Sequence, residues 1–290
     1  MITSKFKKLF IVALLSSIFL SASLFAQSPA DSSTPAKSYF KLSVTYLSNA
    51  VYYGRKDSLA LPYISPSVSY HDKSGVYFEA SLSYLASAGA GQIDEGSLTA
   101  GYGYNSKNEK LEGEVYASKY FYNKASYSVN AEIKSAIGNY LTYNTGIVSV
   151  TSMAEAFFSG KTDVNVNLGL SHSFDLSDNG NLSVAPAALA NAGTQNFYEN
   201  YYTKRKYSPI RRRRIATAKN VIIINKNFSI LDYEISCPVY YDEPKWGLFA
   251  APTFSIPVNP IKYTVNNGGT FITEKLSNTF YMEIGVYVKF

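Results

Sequence analysis

The chain has 290 residues and a single cysteine, Cys237, so an internal disulfide is excluded. Its net charge of +6 falls to +3 when Lys5, Lys7 and Lys8 are set aside, and to about −4 when the seven positive charges within Lys204–Arg214 are set aside as well. The basic balance thus belongs to two short segments, which argues against a nucleic-acid partner.

Residues 1–26 read as a secretory signal peptide. Lys5, Lys7 and Lys8 form its positive end, and Leu9–Leu20 is an apolar core too short to span a bilayer comfortably. Cleavage is expected after Ala26. Residues 27–37 (QSPADSSTPAK) are small and polar and suit a flexible periplasmic leader. No second long apolar run follows, and mean hydropathy is −0.08, so no transmembrane helix is expected. Tyrosine is abundant, 26 against 17 Phe and one Trp, which suits rings placed where apolar surface meets water.

From Ser38 onward the period is two, and twelve strands are expected. The first is Ser38–Leu47, with Phe40, Leu42, Val44 and Tyr46 opposite Lys41, Ser43 and Thr45. Leu61–Tyr70, Gly75–Leu85, Gly96–Asn105 and Leu111–Lys119 follow. The sixth is set at Ala125–Ala136 and the seventh, less clean, at Tyr140–Thr151. The eighth, Asp163–Phe174, alternates most regularly. The ninth, Asn181–Ala190, carries Pro186. Ser229–Val239 and Trp246–Ile256 lead to the last, Thr279–Phe290. There Phe280, Met282, Ile284, Val286, Val288 and Phe290 share one face.

Each segment has the length that a tilted strand needs to cross a bilayer, and the count is even. Polar backbone cannot be left unpaired in lipid, so the sheet must close. The expected fold is therefore an all-β, transmembrane, antiparallel up-and-down β-barrel of about 12 strands over residues 38–290. The connections support this. The expected turns His71–Ser74, Ser106–Lys110, Ile137–Asn139, Asp175–Gly180 and Tyr241–Lys245 are short. The opposite connections Ser48–Ala60, Ala86–Glu95, Ser152–Thr162, Asn191–Phe228 and Pro257–Asn278 are longer, with Tyr120–Lys124 the exception. Long loops outside and short turns inside are the rule for such barrels. A soluble β-sandwich or lipocalin-like barrel also alternates; twelve long strands and the loop asymmetry argue against it.

The last strand, ending on Phe290, resembles the closing strand of bacterial outer-membrane β-barrels, whose terminal Phe is read by the barrel-assembly machinery. Val44–Tyr84 is similar to the opening of a loose group of such barrels, through Ser48, Asn49, Gly54, Pro62, Pro66 and Ser74–Tyr77. The Arg often placed just before that Gly is Tyr53 here, and Arg55 follows it instead. From Leu231-Asp232-Tyr233 through Pro252 and Pro257–Pro260 to Phe290, the chain resembles uncharacterised barrels of Bacteroidetes-type bacteria, and the Phe25-Ala26-Gln27 junction fits that origin. The likeness implies a location in the outer membrane and a fold, not an activity.

Catalysis is not expected. His71 falls in an expected short turn, and His172 follows the lipid-facing parity of the eighth strand, with no Ser placed opposite it. No cluster has metal-ligand spacing, and no cofactor is expected. The expected lumen charges are Lys41, Glu79, Glu112, Glu114, Glu132, Lys134, Asp232, Glu234, Glu283 and Lys289. They either line a pore and favour cations or pair with one another to fill a narrow lumen. In the long loop 191–228, Lys204, Arg205, Lys206, Arg211, Arg212, Arg213 and Arg214 form either a grip on lipopolysaccharide phosphates or a solvated charge run. The functional expectation is a narrow channel or transporter for small solutes. The alternative is a closed barrel that displays its loops. Lumen packing separates the two, a filled interior favouring display.

Overall fold

In the computed structural model the described residues are 37–56, 60–86, 91–123, 126, 128–131, 133–198, 221–223, 227–265 and 271–290. The expected signal peptide, Glu132 and the basic run 204–214 lie outside them.

Twelve antiparallel strands form the wall. They are β1 Tyr39–Leu47, β2 Tyr63–His71, β3 Val76–Leu85, β4 Gln92–Asn105, β5 Leu111–Tyr122, β6 Ser135–Asn144, β7 Ser149–Phe158 and β8 Thr162–Ser171. Next come β9, in two pieces (Leu182–Val184 and Ala187–Gly193), and β10, also in two (Ser229–Ser236 and Val239–Glu243). β11 Trp246–Pro257 and β12 Thr279–Lys289 complete the wall. Each strand pairs with its neighbours in sequence, and β12 pairs with β1 from Lys41↔Lys289 to Leu47↔Glu283. This closure leaves no edge for unpaired backbone groups. The breaks in β9 and β10 fall at Pro186 and at Cys237-Pro238, where a proline cannot donate to the ladder.

The alternation sorts side chains as lipid requires. Phe40, Leu42, Val44 and Tyr46 of β1 are exposed on the outside, while Lys41, Ser43 and Thr45 are buried inside. The same split recurs on β3, β8 and β12.

The sixth and seventh strands lie elsewhere than expected. Of the stretch expected as Ala125–Ala136, the described residues 126, 128–131, 133 and 134 are turn or irregular and mostly buried, and β6 begins only at Ser135. Its alternation came from a turning loop. Val129 and Ile133 are buried among other loops, and Ser128 and Asn130 are buried too, with Ile133 N–H donating to the Asn130 carbonyl at 2.9 Å. The expected turn Ile137–Asn139 sits within β6, with Ile137 58% exposed to the outside. The true turn is Thr145–Val148, where Thr145 N–H donates to the Val148 carbonyl at 3.0 Å and Gly146 has φ +91°. The expected loop Ser152–Thr162 is mostly β7.

Gly138 was a misleading turn signal because its role is to make room. Tyr77, Gly101, Tyr116, Gly138 and Glu155 are successive partners across β3 to β7. A Cβ on Gly101 would stand 2.5 Å from the Tyr77 ring, and one on Gly138 would stand 2.6 Å from Tyr116 Oη. Each tyrosine therefore lies across the glycine beside it. Tyr287, Gly247 and Asp242 repeat the arrangement across β12, β11 and β10.

Candidate functional site: the barrel interior

The interior has three zones. At the end with long connections it holds an apolar cluster. The hairpin Val51–Tyr52/Arg55–Lys56 folds inward, turning through Tyr53 (φ +46°) and Gly54 (φ +73°). Gly54 meets the wall so closely that a Cβ would lie 2.7 Å from Pro257 Cβ and 2.9 Å from Asp232 Cβ. Tyr52 and Tyr53 pack there with Val129 and Ile133, with Phe197 and Tyr198, and with Ile261 and Tyr263. Four connections thus supply the plug.

Arg55 pins the hairpin. It is 2% exposed, and its guanidinium donates to the carbonyls of Tyr53 (2.9 Å), Leu231 (2.7 Å), Val258 (3.0 Å) and Asn259 (3.1 Å). Its Nε lies 3.7 Å from Glu274 Oε2. Sequence reasoning set this residue aside because it follows the glycine instead of preceding it. The usable signal was a cation following an aromatic pair and a glycine in a turn.

Below the plug the wall is polar. Hydroxyl pairs run from strand to strand: Ser43–Ser67 (2.6 Å), Ser65–Ser83 (2.9 Å), Ser81–Ser97 (2.8 Å) and Thr99–Ser118 (2.9 Å). On the other side, Asn167 donates to Asn191. Asn191 donates to Asp232 (2.8 Å), and Ser255 donates to the same carboxylate (2.8 Å). Glu234 accepts from Tyr281 at 2.9 Å and Glu155 from Tyr116 at 2.5 Å. Glu155 was not among the expected lumen residues because the seventh strand was misplaced. Nor do these acids pair with bases as charge compensation suggested: Glu155, Asp232 and Glu234 take hydroxyl and amide donors. One oxygen on each of Glu114, Glu155, Glu234 and Glu283 is buried without a partner among the described residues.

The third zone is the end with short turns. Lys41 Nζ lies 4.2 Å from the Tyr287 ring centre, and Lys289 Nζ lies 5.3 Å from it. His71 is not a solvated turn residue. It is 1% exposed, its ring stacks between Tyr39 (4.8 Å) and Tyr77 (5.6 Å), and Nε2 meets Ser69 Oγ at 2.8 Å. His172 is half-buried beside Phe174 and meets the Ile147 carbonyl through Nδ1.

Of the expected lumen residues, Lys41, Glu79, Glu114, Asp232, Glu234 and Glu283 are buried inside, and Glu112 and Lys289 are half-buried near the short-turn end. Lys134 is a correction: it is exposed, just beyond β6, because the segment it was assigned to is not a strand. Phe290 is 74% exposed, and its backbone exchanges two hydrogen bonds with Phe40. Val221–Ile223 pairs with Tyr263–Val265. Among the described residues, no group of three His, Cys, Asp or Glu is placed to hold a metal ion.

A closed twelve-strand barrel with an apolar outside and a polar inside defines the class: a bacterial outer-membrane β-barrel. No family model matches the chain, and no curated protein matches its sequence. Among solved structures, an outer-membrane channel from Pseudomonas putida F1 is similar, with a TM-score of 0.51, 13% identity, and 91% of this chain and 99% of that one covered. KdgM porin (TM-score 0.47, 11% identity, 86% and 99% covered) and NanC porin (0.47, 10%, 87% and 100%) also match. At such identities the likeness is one of fold.

Proposed function

We propose that the barrel is a narrow channel for small polar solutes, favouring cations and occluded at its long-connection end. The observation that carries this reading is the set of inward carboxylate oxygens on Glu114, Glu155, Glu234 and Glu283 that no described side chain satisfies. A buried carboxylate oxygen without a donor is costly, and water or a passing cation relieves that cost. A wall needed only to close the barrel is more stable when apolar. The similarity to an outer-membrane channel is consistent with this use of the fold. The motifs near the C-terminus point to a Bacteroidetes-type origin.

The apolar plug favours a second reading, a closed barrel that displays its loops. Under it, the basic run 204–214 contacts lipopolysaccharide, and neutral replacement of Arg211–Arg214 weakens salt-dependent binding. Single-channel recording of the refolded mature protein separates the two readings. Stepwise currents with cation preference, reduced in a Glu79→Gln/Glu114→Gln/Glu155→Gln variant, support the channel. Insertion shown independently, but without current, supports the closed barrel.

A further inference from the structure

Among the described residues, Lys119 is the one charged side chain that faces outward from within a wall strand, three residues before the end of β5 and opposite Ser135, where β6 begins; Asp175 and Glu243 stand beside the short turns. It is exposed on β5, on the parity of Val115 and Phe121, both of which are exposed. A cation facing hydrocarbon is unfavourable, increasingly so with depth, and ordinarily marks a function. Beside it lies an outward groove of about 550 Å³, the size of a small-ligand cleft. Ala80, Ala100 and Ala117 give it depth, Phe40, Phe78 and Leu98 give it height, and Lys119 lines it at the end nearer the long connections. The register sets Phe78, Ala100 and Ala117 in one row and Ala80, Leu98 and Lys119 in the next.

We infer that this face is a binding site for one lipopolysaccharide molecule, with an acyl chain in the alanine-floored groove and a phosphate on Lys119. The long-connection end faces outward in such barrels, where the leaflet's anionic lipid is lipopolysaccharide. A lysine on a flexible stem meets phosphate as a point charge, and basic pockets beside an apolar surface bind lipid head groups. The site is independent of whether the lumen conducts.

Native mass spectrometry of the refolded, lipid-free barrel in non-ionic detergent tests it. The probes are short-core lipopolysaccharide, its dephosphorylated form and phosphatidylglycerol. One lipopolysaccharide per barrel is expected, weakened about tenfold by Lys119→Gln and by Ala100→Phe, which fills the groove and keeps the charge. Loss of phosphate should weaken it comparably, and phosphatidylglycerol should bind far less. Heat-modifiable gel migration verifies that both variants fold. Binding unchanged by Lys119→Gln, or unchanged by Ala100→Phe, overturns the site. Equal retention of phosphatidylglycerol also overturns it, leaving a general anionic-lipid contact.

Discussion

Arg55 shows how one side chain holds a connection inside the barrel. Four carbonyls from three parts of the chain converge on its guanidinium. Arg55→Ala leaves these carbonyls buried and should cost about 3 kcal/mol, measured by urea titration of the refolded barrel. Arg55→Lys should recover only part, because an ammonium cannot fork to four acceptors. In recordings, both variants should raise the open probability if the hairpin is what blocks the lumen. Asp72 acts at the opposite end, in the turn joining β2 to β3. Hydrogen bonds from Ser74, by hydroxyl and backbone N–H, and from Ser38 hold its carboxyl down from 3.8 to about 2. A depressed acid stabilises the fold above its unfolded value and loses that contribution as pH falls through the folded one. The turn's protection from amide exchange should therefore be constant above pH 4 and decline between about pH 4 and pH 2. In Asp72→Ala that decline should be absent.

At the scale of elements, the glycines in β4, β6 and β11 matter for what lies over them. Tyr77 and Tyr116 lie over Gly101 and Gly138 on one wall, and Tyr287 lies over Gly247 on another, so rings cross strands and stiffen neighbouring pairs. Gly138→Ala should destabilise by about 1–3 kcal/mol through overpacking, since both Tyr116 and Glu155 Cγ, 2.7 Å from the added carbon, must move. Tyr116→Phe keeps the ring but removes the donor to Glu155, so it should leave folding nearly intact and shift ion selectivity instead. The same residues explain the misplaced strands. Gly138 read locally as a turn because nothing near it in sequence shows a tyrosine arriving from β5. Val129 and Ile133 fell within the expected strand Ala125–Ala136 because alternation cannot tell lipid from a plug; both are apolar surroundings.

For the whole molecule, the terminal Phe290 closes the sheet through its backbone while its ring stays outside. Phe290→Ala should therefore leave the purified barrel as stable as the parent and lower its yield in the outer membrane several-fold, measured by surface proteolysis of cells. An equal yield would remove Phe290 as the insertion signal.

Most of the architecture was legible from the chain alone. A period of two over ten-residue segments, an even strand count and the asymmetry of the connections follow from the bilayer's thickness and from its refusal of unpaired backbone groups. These demands are local and repeat along the sequence. So were most of the inward charges, because parity within a correct strand assigns them. Only the tertiary structure decided which connections turn back into the barrel, that Arg55 holds them there, and that Glu155 joins the lining. It also decided that Ala80, Ala100 and Ala117, distant in sequence and small, meet beside Lys119. Those outcomes depend on register across strands and on packing between loops far apart in the chain, which periodicity within one segment does not encode.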